Sequence, residues 1–207
     1  MCCNQGVPKI VDHERRRETL ARTVREIISR EGIEGATVRR VAQEAGVSVG
    51  GLRHYFDSQS GLLAFAAEEI GRSLVLRIDG WLARDLPGPE RARLLLEELL
   101  PLDAERRVEV DVWLACLMRS RVDDSLAGLR ATAWQAELHV CRLALACHRS
   151  LPPPARMGEP FGDPGLERRA ARLHVFVDGL TLQAATFPER FTPQGLRDLV
   201  GDVLAEI

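Results

Sequence analysis

TVRRVAQEAGVSVGGLRHYF, residues 37–56, carries two short apolar stripes with a glycine between them. Val38, Val41, Ala42 and Ala45 recur at helical spacing and make one buried face. Gly46 follows, the residue that adopts positive φ in a tight turn without steric cost. Ser48 is a good N-cap, because its hydroxyl accepts from an orphan backbone N–H. Leu52, Tyr55 and Phe56 then set a second apolar stripe against the first. Two short helices joined by a glycine-containing turn define a helix-turn-helix, whose second helix enters a DNA major groove. The spacing predicts that second helix over about Val49 to Tyr55.

With Leu52 and Phe56 inward, Val49, Gly50, Gly51, Arg53 and His54 are left for the outer face. Each glycine costs a helix roughly 1 kcal/mol relative to Ala. In exchange, no side chain holds the backbone away from a duplex. Arg53 can fork onto guanine or grip a phosphate. His54 and the Tyr55 hydroxyl are candidate phosphate donors, with a core tyrosine of satisfied hydroxyl as the lesser alternative for Tyr55. Thr37, Arg39 and Arg40 open the preceding helix, whose first N–H groups suit a phosphate. For Arg40 a merely solvated face is an equal alternative. The candidate DNA contacts are thus Thr37, Arg39, Ser48, Val49, Gly50, Gly51, Arg53, His54 and Tyr55.

The 207 residues suffice for one large domain or two small ones. Hydrophobic residues make up 45% and charged residues 28%, an ordinary globular composition rich in helix formers. No apolar run approaches the roughly 20 residues needed to span a bilayer. MCCNQGVPKIVDHERRRE at the start has no signal-peptide apolar core, so the expected location is cytoplasmic, with no membrane partner. Net charge is −2, which excludes a generally basic nucleic-acid coat. Residues 1–60 hold ten Lys/Arg against eight Asp/Glu, and the remainder eighteen against twenty-two. That mild bias has the sign expected of a DNA-reading N-terminus.

Residues 1–11 read as a loose tail. A first helix is expected from about Asp12 to Glu31, with Leu20, Val24, Ile27 and Ile28 as its stripe. Arg15, Arg16 and Arg17 precede that stripe, either as solvated surface or as contacts to the DNA backbone. A fourth helix starts near Gln59 and is long enough to leave the first domain. Further helices are expected at about 89–100, 103–121, 123–149 and 166–186. The last is capped by Thr192, with Pro193 in its first turn. SLPPPARMGEPFGDPG, residues 150–165, is too proline-rich for a helix. No strand-like alternation appears. The fold class is therefore all-α, with about nine helices. Residues 12–57 form a three-helix DNA-binding domain, and residues 58–207 a helical bundle for ligand binding and dimerisation.

Of the five cysteines, Cys2 and Cys3 lie in the tail, and Cys116, Cys141 and Cys147 lie in apolar helical patterns. Six residues of helix turn through about 600°, so Cys141 and Cys147 point apart. Buried inert thiols are expected rather than a disulfide framework or a metal or thiol sensor.

His13 to Ala67 resembles the DNA-binding domain of TetR-type transcriptional regulators, through its long first helix, GIEGATVRRVAQEAGVSVGGLRHYF and SQSGLLAFA. Arg53 stands where the commonest family pattern has Tyr, and that pattern has a Lys near Gln59 or Ser60. Gln59 joins the candidate DNA contacts on that likeness. The Arg-His-Tyr-Phe run followed by Ser-Gln is more similar to the BetI-like branch. DVWLACLMRSRVDDSLAGL and VFVDGLTLQAATFPERFTPQGL look like the C-terminal domain of that branch.

The resemblance implies a homodimer that pairs through its last two long helices. Leu173, Phe176, Val177, Leu180 and Ala184 on one, with Leu199, Val200 and Val203 on the other, are the expected interface or core. It also implies a repressor released from a palindromic operator when a small molecule of unknown identity fills the body. Trp113, Cys116, Leu117, Trp134, Leu138 and Phe176 are the candidate lining residues, with simple core packing as the alternative for each. BetI-like relatives suggest a quaternary amine held by aromatic rings through cation–π attraction.

Two rival classes stay open. An enzyme lacks support, because there is no Gly-rich phosphate loop, no metal-ligand spacing and no nucleophile elbow, and His139, His148 and His174 stand apart from partners in the sequence. No cofactor or metal is expected. A helical protein–protein adaptor that has lost DNA binding is the other, favoured by Gly50, Gly51 and the missing Lys.

Overall fold

The computed structural model describes the backbone from Lys9 to Ile207 and side chains from Arg15 onward. Among the described residues there are nine α-helices and no strand. They are α1 Lys9–Glu31, α2 Val38–Glu44, α3 Val49–Leu52, α4 Gln59–Leu82, α5 Gly88–Glu97, α6 Ala104–Arg119, α7 Ala127–Arg149, α8 Pro164–Thr186 and α9 Pro193–Glu206. Helix α1 begins at Lys9, before the expected Asp12. Residues 1–8 of the expected tail, with Cys2 and Cys3, lie outside the described residues.

The chain divides into two compact units, one ending at Glu69 and the other beginning at Ile70. That division falls later than residue 57, because the first turns of α4 belong to the first core. Leu62, Leu63, Phe65 and Ala66 are buried there with Leu20, Val24, Ile27, Val41, Leu52 and Phe56. The rings of Phe56 and Phe65 lie 5.3 Å apart, within the range where aromatic pairs gain beyond simple burial.

The link between α2 and α3 is built as its residues dictate. Gly46 has φ +67°. Val47 N–H donates to the Ala42 carbonyl at 3.0 Å and Gly46 N–H to that of Gln43 at 3.3 Å. These two bonds are the Schellman pair that satisfies a helix end. Thr37 Oγ1 accepts from Arg40 N at 3.2 Å and Ser48 Oγ from Gly51 N at 3.0 Å, so both helices are capped. Helix α3 stops at Leu52, however, short of the expected Tyr55. Arg53 to Tyr55 form a turn closed by Tyr55 and Phe56 N–H groups on the Leu52 carbonyl, at 2.8 and 2.9 Å. Two glycines in a four-residue helix leave little propensity to carry it further.

The second unit packs α5 on α7 and α9, α7 on α8, and α6 on α8. Leu95, Leu96, Leu138, Cys141, Leu145, Leu173, Val177 and Val200 sit in its core. At Gly88 a Cβ would fall 2.2 Å from the Cys147 carbonyl oxygen, so only glycine lets α5 start against the end of α7. A three-residue 3-10 turn, Asp124–Leu126, precedes α7 where one continuous helix from Asp123 was expected. Asp163 caps α8 by accepting from Gly165 N at 2.6 Å, so α8 starts at Pro164 rather than Leu166. Thr192 caps α9 through Gly195 N at 3.0 Å, as the sequence predicts.

Leu173, Val177, Leu180, Ala184 and Val200 are all buried within the chain itself. Of the two readings of this stripe, interface or core, the structure shows most of it as intrachain core. Large apolar side chains that face outward on α8 and α9 are Val175, 72% exposed, Leu182, 51%, and Leu199, 38%.

Candidate nucleic-acid interface and effector cavity

The first unit leaves a contiguous outward surface from Ser48 to His54, broken only by buried Leu52. Val49, Gly50, Gly51, Arg53 and His54 are all exposed, as is Arg39 at the start of α2. Thr37 and Ser48 hold their helix ends as acceptors, and each hydroxyl keeps a proton to donate outward. A Cβ at Gly51 would meet Ser48 Oγ at 3.3 Å. That glycine therefore serves the cap as well as keeping the surface bare.

Tyr55 is half-buried, its ring edge-on to Phe65 at 6.2 Å and 79°. Gln59 is exposed, yet its Nε2 donates to the Ala36 carbonyl at 2.8 Å. It ties the start of α4 to the turn before α2.

The arginine triplet of α1 splits by helix phase. Arg17 is half-buried, pairs with Glu68 at 2.9 Å and with Glu69, and lies 4.8 Å over the Phe65 ring. It is structural. Arg16 lines a groove of about 250 Å³ beside Ser48, Gly51 and Tyr55. Arg40 is tied to Glu31 at 2.7 Å and Glu44 at 3.3 Å, which settles it as part of a surface salt-bridge network. The same Glu44 pairs with Arg30 at 2.9 Å.

The second unit holds a cavity of about 780 Å³ between α6, α7 and α8, within the usual range for small-molecule sites. Trp113, Leu114 and Leu117 line it from α6, Arg130, Trp134 and Glu137 from α7, and Asp178 and Leu182 from α8. Of the six expected lining residues, Trp113, Leu117 and Trp134 are present. Cys116 and Leu138 are buried away from it, each one residue round the helix from a lining position. Phe176 faces a separate groove with Leu199 and Val203.

None of the polar lining residues Arg130, Gln135, Glu137, Asp178 and Thr181 was expected from the sequence, nor was a role for His174 behind Glu137 and Asp178. His174 Nε2 lies 3.5 Å from Glu137 Oε2 and 3.5 Å from Asp178 Oδ1. Its ring is 5.5 Å from that of Trp134. His174 is therefore not isolated, as the sequence suggested. Burial pushes the Glu137 carboxyl above its ordinary value, with His174 opposing and the Asp178 charge adding to the rise. Burial raises Asp178 as well, against the pull of His174. The available signal was an acid inside an apolar run, Asp178 in VFVDGLTLQ.

Cys116 and Cys141 are buried and unreactive by environment, whereas Cys147 is half-buried, short of the burial expected of it. Burial pushes the Cys116 thiol up to about 12. It drives Cys141 upward too, with the negative charges of Asp178 and Glu137 adding. A thiolate, the reactive form, is suppressed in both.

A capped helix pair that bares its second helix, carried in one chain with a helical unit enclosing a cavity, is the layout of a ligand-responsive helix-turn-helix regulator. Residues 22–65 match the family of bacterial regulatory proteins of the TetR type, and residues 89–207 match the BetI-type transcriptional repressor C-terminal domain. The chain is 32% identical over 199 residues to the HTH-type transcriptional regulator PksA of Bacillus subtilis, covering 94% of this chain and 90% of that protein. It superposes on a transcriptional regulator from Rhodococcus sp. Rha1 with TM-score 0.73 and 30% identity, covering 92% and 95%. A Saccharomonospora viridis regulator solved in complex with choline shares the fold, at TM-score 0.71, 22% identity and coverage of 93% and 96%.

The protein belongs to the TetR family of transcriptional regulators, with a C-terminal domain of the BetI type. It is a DNA-binding regulator of the repressor class, not an enzyme. Among the described residues no helix is long and apolar enough to cross a membrane.

Proposed function

We propose that the chain acts in the cytoplasm as a homodimeric repressor of a palindromic operator, released when a small molecule enters the cavity of the second unit. The observation that carries this is the bare surface of α3 and its following turn. Val49, Gly50, Gly51, Arg53 and His54 point outward from a helix capped at Ser48. Arg53 and His54 supply the polar contacts from the turn, and Arg39 and Thr37 a phosphate grip from the start of α2. Tyr55 and Gln59 stand at the margin, where one packs on Phe65 and the other braces Ala36.

Two recognition elements must meet successive major grooves about 34–36 Å apart. The outward side chains Val175 and Leu199 on α8 and α9 are the surface for the second copy. The effector is a small molecule of mostly apolar surface, stacked against Trp113 and Trp134. It acts only if it binds the DNA-released conformation more tightly than the DNA-bound one.

Genomic mapping of bound sites supplies the operator. Fluorescence anisotropy with that duplex then tests the reading. Tight, salt-sensitive binding of a dimer is expected. Absence of any preferred duplex would leave a helical adaptor instead.

A further inference from the structure

Glu137 on α7 and His174 and Asp178 on α8 offer three ligand atoms that all lie within 4.8 Å of one another. His174 is 3% exposed, and its Nε2 has no hydrogen-bond partner among the described residues. The two 3.5 Å approaches from Nε2 to the carboxylates lack hydrogen-bond geometry. A buried ring nitrogen left this way costs free energy unless something else takes its lone pair or proton.

Three observations limit what that is. Firstly, a point equidistant from three atoms so spaced lies about 2 to 2.5 Å from each, close to the 2.0–2.2 Å of zinc–nitrogen and zinc–carboxylate bonds. An organic ammonium group with its own carbon substituents is too large for that space. Secondly, one imidazole with two carboxylates is a donor set for a borderline first-row dication. Thirdly, a dication matches the charge of the two carboxylates. Arg130, the other charged group of the cavity wall, is directed to the Ser120 carbonyl at 3.2 Å.

We propose that Glu137, His174 and Asp178 form a binding site for a divalent transition-metal ion in the wall of the cavity. Glu137 and Asp178 themselves line the cavity, so the fourth coordination position opens into it. Water fills that position at rest, and an effector carrying an oxygen or nitrogen donor takes it on binding. Only this last assignment rests on the effector reading above. Retention of the ion by the three side chains does not.

The experiment uses the full chain with Cys2 and Cys3 replaced by serine, since adjacent thiols bind zinc on their own. Zn²⁺ is titrated into the metal-free protein by calorimetry, and Co²⁺ is followed by its visible ligand-field absorption. One ion per chain is expected. Second-sphere changes already cost 10–100-fold in affinity, so Glu137→Gln and Asp178→Asn should each weaken binding by at least about 100-fold. His174→Ala should do the same, and His148→Ala should leave the affinity unchanged. Because His174 is buried and its variant can fail to fold, Asp178→Asn, whose side chain is half exposed, is the deciding change. Failure to bind Zn²⁺ or Co²⁺, or equal binding by Glu137→Gln and Asp178→Asn, overturns the proposal. Choline is titrated in parallel. Choline binding without metal binding overturns the metal site and leaves the effector reading standing. Metal binding by a protein that ignores choline supports the site, which does not depend on choline as the effector.

Discussion

Arg106, in the first turn of α6, places Nη2 2.7 Å from Oε1 of Glu98 at the end of α5. The same carboxylate takes Arg77 Nε at 2.7 Å and Trp81 Nε1 at 2.8 Å from α4. Glu98 is nearly fully buried, so three donors from two other helices converge on one charge. Burial alone would raise its carboxyl, but the hydrogen bonds from Arg106, Trp81 and Arg77 outweigh it and hold the value low.

A carboxyl held low in the folded chain stabilises it above the unfolded value near 4.3. That contribution is lost as pH falls through the lower folded value. Glu109, raised by burial despite Arg77, works in the opposite sense and offsets part of the acid effect. Glu98→Gln should cost roughly 2–3 kcal/mol at pH 7, below a fully buried pair because the arginines are a quarter exposed. Urea unfolding at pH 7 and pH 3 checks this, and the variant's deficit should shrink at the lower pH.

Arg53 reads as a DNA contact and Arg40 equally as solvated surface, and the two should separate in binding. Arg53→Ala is expected to weaken operator binding by roughly 1–3 kcal/mol if it reads a base. Arg40→Ala should change it little, since Arg40 is engaged by Glu31 and Glu44. Anisotropy titrations against the mapped duplex measure both, and equal losses would contradict the assignment.

Ser48→Ala removes the acceptor for Gly51 N–H. A lost N-cap costs about 1 kcal/mol, and α3 has only four residues over which to absorb it. The expected result is a small drop in melting temperature with a larger drop in DNA affinity. Ser48→Asp, which keeps an acceptor, should restore the melting temperature.

Val175→Arg and Leu199→Glu alter outward side chains of α8 and α9. Each should move intrinsic stability by less than about 0.5 kcal/mol. Light scattering should nevertheless show a shift from dimer to monomer, with a parallel loss of operator affinity. A dimer that persists in the double variant would place the interface elsewhere.

The sequence by itself determined the all-α class, the paired short helices and the caps, because these are local properties. Helical spacing from Val38 to Ala45, the positive φ of Gly46 and the N-caps at Ser48 and Thr192 each depend on a few neighbouring residues. The end of α3 was less legible, since Leu52, Tyr55 and Phe56 fit a turn as well as a helix.

Tertiary structure alone decided what each helix face meets. Cys116 and Leu138 went to the core and Trp113 and Trp134 to the cavity, a difference of phase that apolar character does not encode. Arg17 turned inward to Glu68 and Glu69, 51 and 52 residues away, while its neighbour Arg16 lined the α3 groove. Glu137 and His174 are 37 residues apart, so no spacing rule joins them. Only the packing of α7 against α8 brings their side chains within 3.5 Å.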